Sequence, residues 1–159
     1  MSDKGLSTVI ATIMIVMLTM VAAAVLFAFI IPMIRENTQK SKECFDLRDQ
    51  ISIELGKYTC SNSANTSIMI KRGEKGEMIG FIVSLKVGGS STRYELKDGS
   101  VTGVKMFNGS SVIKIPQKGG SETYVFSIPS VEFVDVAPIL ASGGNCDAVN
   151  GKVYDCYNA

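Results

Sequence analysis

Four cysteines are the residues whose type and spacing speak most directly of chemistry. Cys44 and Cys60 stand near the start of the polar part of the chain, Cys146 and Cys156 near its end. Four thiols allow three pairings. Neighbour pairing, Cys44 with Cys60 and Cys146 with Cys156, is the expected arrangement, because each bridge would close a short loop near one end of the polar region. Zinc is the competing use, but the spacings are not the tight knuckles of roughly two to four residues that zinc sites use. Disulfides imply an oxidising location outside the cytoplasm. The chain has no histidine, so the commonest general base and metal ligand is missing. A Ser-His-Asp or Cys-His nucleophile system is thereby excluded. There is no CxxC and no placeable carboxylate pair. The pieces "VGGSS", "KGGSE" and "SGGNC" fall between expected strands and read as turns, since none opens a helix as a phosphate loop would. Neither an enzymatic activity nor a cofactor is expected.

Three further groups are candidates for ligands or modification. Asn65-Thr66-Ser67 and Asn108-Gly109-Ser110 match the N-glycosylation sequon. Asn108 has a second use, because Asn-Gly suits a tight type I′ turn. Asp135, Asn145, Asp147 and Asp155 could gather around calcium, but they lack the alternation of an EF-hand loop, and no metal site is assigned. The net charge of +1 argues against an electrostatic nucleic-acid binder. That total hides an uneven distribution. Residues 35–118 hold 14 Lys/Arg against 9 Asp/Glu, whereas Gly119 to Ala159 holds Lys152 alone against five acids. Blocks of opposite sign could complement each other between copies of the chain; chance clustering on a solvated surface accounts for them equally well.

The element that must position all of this begins at the N-terminus. From Leu6 to Ile34 there are 29 residues without a charge. As a helix rising about 1.5 Å per residue they would reach about 43 Å, against a hydrocarbon core of about 30 Å. A secretory signal fits poorly, since its apolar core is about 7–15 residues and is followed by a cleavage site; here the glycine precedes the apolar run. Small and hydroxyl residues within the segment suit close helix–helix approach, with Thr8 and Thr12 on one face. Pro32 should kink or loosen the helix. Helix is expected to about Lys40 and onward towards Leu55.

"KG" followed by "LSTVIATIMIVMLTMVAAAVL" resembles the class III signal and N-terminal helix of archaeal type IV pilins and their archaellin relatives. The resemblance covers Lys4 to Ile34, about a fifth of the chain. It implies that a prepilin peptidase cuts between Gly5 and Leu6, with Lys4 and Gly5 as the recognition pair. Bacterial type IV pilins usually carry a glutamate fifth in the mature chain; Ile10 stands there here, which places the likeness on the archaeal side. The likeness further implies a homo-oligomeric helical filament outside the cell, a membrane-embedded precursor, and an assembly ATPase and membrane platform as partners. An adhesive pilus is the first expectation. An archaellum subunit and a membrane-tethered β-sandwich binding module are the alternatives.

Beyond Gly56 the texture changes to short apolar runs between turn residues. "EMIGFIVSLKV" reads as a strand, with Met78, Phe81, Val83, Leu85 and Val87 mostly on alternate positions. "GGSS" ends it, "TRYEL" follows, and "KDGS" offers an Asp-Gly turn. "VTGVKMF" and "SVIKI" are expected as a hairpin on Asn108-Gly109, and "ETYVFSI" and "VEFVDVAPIL" complete five to seven strands. The tail from Ala141 is expected as a loop stapled by Cys146 and Cys156, with a short strand around Lys152–Tyr154. The fold class is therefore α+β: a leader at 1–5, a hydrophobic helix within 6–55, and an antiparallel β-sandwich-like headpiece at 56–159.

Overall fold

The computed structural model describes the backbone of residues 3–156 and side chains from residue 9 onward. The chain divides into two compact units, a helical one ending at Gln39 and a second that begins at Lys40. Helix α1, Asp3–Leu47, belongs to both and is assigned as continuous through Pro32. The hydroxyls of Thr12 and Thr19 donate to the carbonyls of Val9 and Val16, each at 2.9 Å. These polar groups are therefore satisfied inside the helix, as hydroxyls in an apolar helix can be.

The helix stops at Leu47, short of the expected reach towards Leu55. No glycine or proline signals that stop. Asp49 supplies it, adopting φ +59°, the left-handed conformation that closes helices and that Asp tolerates better than most residues. Gln50 then donates its N–H to the Leu47 carbonyl, and the chain enters β1 (Ile51–Glu54).

Two sheets enclose the core of the second unit. The first contains β1, β2 (Cys60–Ser61), β3 (Thr66–Arg72), β7 (Val104–Met106), β9 (Ser121–Phe126) and β12 (Tyr154–Asp155). β3 is its centre: β9 lies along one edge, and β1 and β2 share the other. The second sheet runs β11 (Val149–Lys152), β10 (Phe133–Leu140), β4 (Met78–Val87), β5 (Ser90–Lys97). A small pair, β6 (Gly99–Ser100) with β8 (Val112–Ile113), closes one side. All pairings are antiparallel except β12 with β2.

The period-two pattern explains the sandwich. Ile68 and Ile70 from β3 and Tyr124 and Phe126 from β9 meet Phe81, Val83 and Leu85 from β4 and Val134 and Val136 from β10 in a single buried cluster. Tyr94 of β5 packs its ring on Phe126 of the other sheet, centroids 5.2 Å apart. The Tyr124 hydroxyl donates to the Lys114 carbonyl at 2.8 Å, and burial pushes this phenol well above its ordinary pKa.

Turn chemistry agrees with expectation in one place and departs from it in two. Val87 pairs with Ser90 across Gly88-Gly89, both at positive φ, which makes a two-residue primed turn that glycine adopts without strain. At Asp98-Gly99 the chain leaves the second sheet instead of folding back on β5, and the Asp98 carboxylate accepts the Ile115 N–H at 2.8 Å. At Asn108-Gly109 the turn forms, with Gly109 N–H on the Met106 carbonyl. Its flanking strands nevertheless pair elsewhere, β7 with β9 and β8 with β6. Strand β3, which the sequence reading passed over, pairs with three strands, β1, β2 and β9.

Arg72, at the end of β3, is buried and ties two loops together. Its guanidinium donates to the carbonyls of Pro116 and Gly76 and lies 3.8 Å from Glu77, which also bonds Lys118. The hydrogen bond and charge of Lys118, with a smaller effect of Arg72, hold the Glu77 carboxyl below its ordinary pKa. A depressed carboxyl pKa stabilises the fold above the unfolded value and loses that contribution as pH falls through the folded one. Urea midpoints of the detergent-solubilised chain should therefore decline on acidification less steeply in Glu77→Gln than in the wild type. In the same assay at neutral pH, Phe126→Ala should cost about 3–5 kcal/mol.

Candidate functional site

The residues 9–34 of α1 form a surface with one property: they are apolar on every side. Eighteen large apolar side chains between Val9 and Ile34 are exposed, reaching 71% at Leu18 and 74% at Phe29. A soluble amphipathic helix would show one polar face; a helix apolar all round belongs in lipid or among other apolar helices. It is the one helix among the described residues long and apolar enough to cross a membrane. Transfer of such side chains out of water is worth about 1.5–3 kcal/mol each when complete, so eighteen of them create a demand of tens of kcal/mol for a non-aqueous neighbour. Thr12, Thr19 and Ala23 lie on one face, seven and four residues apart. Small residues so placed let another backbone come close.

Lys40–Leu47, the last turns of α1, belong to the β-rich unit and are fastened to it. Cys44 is bridged to Cys146, and Cys60 to Cys156, with Cα–Cα distances of 5.4 and 4.8 Å. The expected neighbour pairs, Cys44–Cys60 and Cys146–Cys156, are overturned. The reason lies in strand direction. The segment from Cys44 to Cys60 runs through β1 into β2 along one edge of β3; the segment from Cys146 to Cys156 runs through β11 into β12. The two travel the same way, side by side: β12 is parallel to β2, Cys156 N–H bonds the Ser61 carbonyl, and Gly151 lies against the Ile53 side chain. The first cysteine of each segment therefore meets the first of the other, and the second meets the second. A neighbour pair would have to bridge the two ends of its own extended segment.

Leu47 plugs the same end of the sandwich, 4% exposed and part of the core cluster. Ser142 donates its hydroxyl to Glu43 beside the Cys44–Cys146 bridge. A groove of about 490 Å³ runs along this collar between Phe45, Arg48, Asp49, Pro138 and Asp147.

The remaining expected sites fall as follows. Lys4, Gly5 and Leu6 stand in the first turns of α1 by backbone; their side chains lie outside the described residues. Asn65 is exposed at the end of the β2–β3 loop, and Asn108 is exposed at its turn. Asp135 lies on the outer face of β10, paired with Lys86 at 2.6 Å. Among the described residues no three His, Cys, Asp or Glu side chains converge as metal ligands would. The sequence reading missed an exposed aromatic pair, Tyr58 and Phe107, whose rings meet edge to face at 5.5 Å. Each is next to turn residues, where an aromatic has no strand periodicity to betray its partner. Comparison of the chain with protein-family models, characterised proteins and solved structures finds no match.

Non-reducing peptide mapping should return Cys44–Cys146 and Cys60–Cys156 linked fragments. The double variant Cys60→Ser, Cys156→Ser should lose about 2–5 kcal/mol of headpiece stability in urea unfolding.

Proposed function

We propose that this protein is a structural subunit of an extracellular type IV pilus-like filament, serving surface attachment, with α1 as its assembly element. The supporting observation is the uncovered apolar surface of residues 9–34. A lipid bilayer satisfies that surface in a precursor. Outside the membrane only other apolar helices can replace lipid, and further copies of the same chain supply them. A head-to-tail contact repeated by a screw operation yields an open filament and not a closed ring. In this reading the helices form the filament core and the sandwiches its outer wall.

The disulfide collar suits such a subunit. In a filament under load, the Cys44–Cys146 bridge would keep the last turns of α1, Lys40–Leu47, tied to the sandwich. Two bridges also imply maturation in an oxidising compartment. The resemblance at Lys4-Gly5-Leu6 supports removal of a five-residue leader by a prepilin peptidase, followed by extraction through an ATPase-driven membrane platform.

N-terminal sequencing of the extracellular protein should give Leu6 as the first residue, and Gly5→Leu should leave uncut precursor in the membrane fraction without filaments. A start at Met1 would make the protein a tethered module, and a start after Ala24 would make it a secreted one; either contradicts the proposal.

A further inference from the structure

The Tyr58–Phe107 pair stands on the outer face of the first sheet and is held there rigidly. Tyr58 belongs to a tight turn closed by Thr59 N–H on the Gly56 carbonyl; the Thr59 hydroxyl in turn accepts the Met69 N–H of β3 at 3.0 Å. Phe107 donates its backbone N–H to Thr123 of β9 at 2.9 Å. Met69 and Thr123 are register partners across β3 and β9, so they form the floor between the two rings. The result is a shallow depression of about 360 Å³ with aromatic walls and polar groups at its rim, among them Asn108 and Glu122. Phe107 is 61% and Tyr58 41% exposed. Aromatic surface beside a few polar groups is the composition that takes a small polar-apolar ligand such as a sugar, whose C–H faces lie on rings while its hydroxyls bond the rim.

A sugar acceptor lies at that rim. Asn108 opens the sequon Asn108-Gly109-Ser110, and its Oδ1 accepts the Ser110 N–H at 3.0 Å. That bond fixes the carboxamide. The other sequon is placed differently. Thr66 is fully buried, donating to the Ile128 carbonyl and bonded to Ser61, and Ser67 is locked in β3 between β2 and β9. A transferase that must grip all three residues can reach the Asn108 turn on the folded headpiece, whereas at Asn65 it would have to strip the central strand from its sheet.

We infer that Asn108 carries an N-linked glycan whose first sugars lie on the Tyr58–Phe107 platform and cover it. In the transfer, the Asn108 carboxamide nitrogen forms a bond to the anomeric carbon of an oligosaccharide carried on a lipid diphosphate. The carbon–oxygen bond to the diphosphate breaks, the lipid diphosphate leaves with its electron pair, and the amide gives up one proton to base. The inference uses the extracytoplasmic headpiece of the reading above but not its polymerisation, so filaments with a bare Asn108 would sink this inference alone.

The full chain, expressed in a host that glycosylates Asn-X-Ser/Thr outside the cytoplasm and purified in detergent, provides the test. Peptide mapping should find glycan on Asn108 and none on Asn65. Enzymatic deglycosylation should lower the melting temperature by roughly 4 °C, the shift that a modest contact produces in a domain of this size. The same treatment should leave the Tyr58→Ala, Phe107→Ala variant unmoved; both side chains are exposed, so this variant should fold. A bare Asn108 beside a fully glycosylated control protein overturns the inference, as does an equal melting shift in wild type and variant. Dimerisation of the glycosylated chain that the double variant abolishes would assign the platform to a second copy, and would also overturn it.

Discussion

An apolar helix with no polar face cannot be left in water, and that constraint organises everything else about this molecule. From Val9 to Ile34 the helix exposes large side chains in every direction. The hydroxyls of Thr12 and Thr19 are already used there, on the carbonyls of Val9 and Val16. Polar attraction therefore contributes little to what the helix contacts. In the function proposed above, association comes from close packing against like helices. The headpiece then has one requirement, to remain folded and attached while the helix is committed to a non-aqueous environment.

The covalent plan of the headpiece answers that requirement. The bridges span 102 and 96 residues, and they interleave along the chain, neither lying inside the other. On the chain-entropy account the first closure is worth about 4.7 kcal/mol. Once it exists, the second closes a shorter circuit, 16 residues from Cys44 to Cys60 and 10 from Cys146 to Cys156, worth roughly 3.5 kcal/mol. Neighbour pairs would each have closed a short loop and left the two ends of the domain free to peel apart. The observed pairing ties the entering segment to the leaving one at both ends of the sandwich.

Strand texture was legible where burial follows a period of two: Phe81, Val83 and Leu85 are buried, and Ile82, Ser84 and Lys86 between them are more exposed. Pairing was less so. Asp98-Gly99 and Asn108-Gly109 both carry turn chemistry, but a turn fixes only local chain reversal, and which sheet each flanking strand joins depends on residues far away. The helix stop at Asp49 left no mark either, since a non-glycine residue adopts the left-handed conformation there. Disulfide connectivity failed for a related reason. Proximity in sequence is a poor guide when the segment between two cysteines is an extended strand. At the functional surface, the uncharged run itself was fully readable, and the Tyr58–Phe107 platform was not, because its two rings come from turns 49 residues apart.

The central claim is that residues 9–34 exchange lipid for copies of themselves. Val16→Cys, on the exposed surface of the helix, allows a direct measurement by oxidative cross-linking between neighbouring helices. Lipid-free extracellular protein carrying this substitution should yield Val16→Cys cross-linked species on non-reducing gels, collapsing to monomer on reduction. Monomer alone, confined to the membrane fraction of cells whose assembly machinery is intact, would contradict the account.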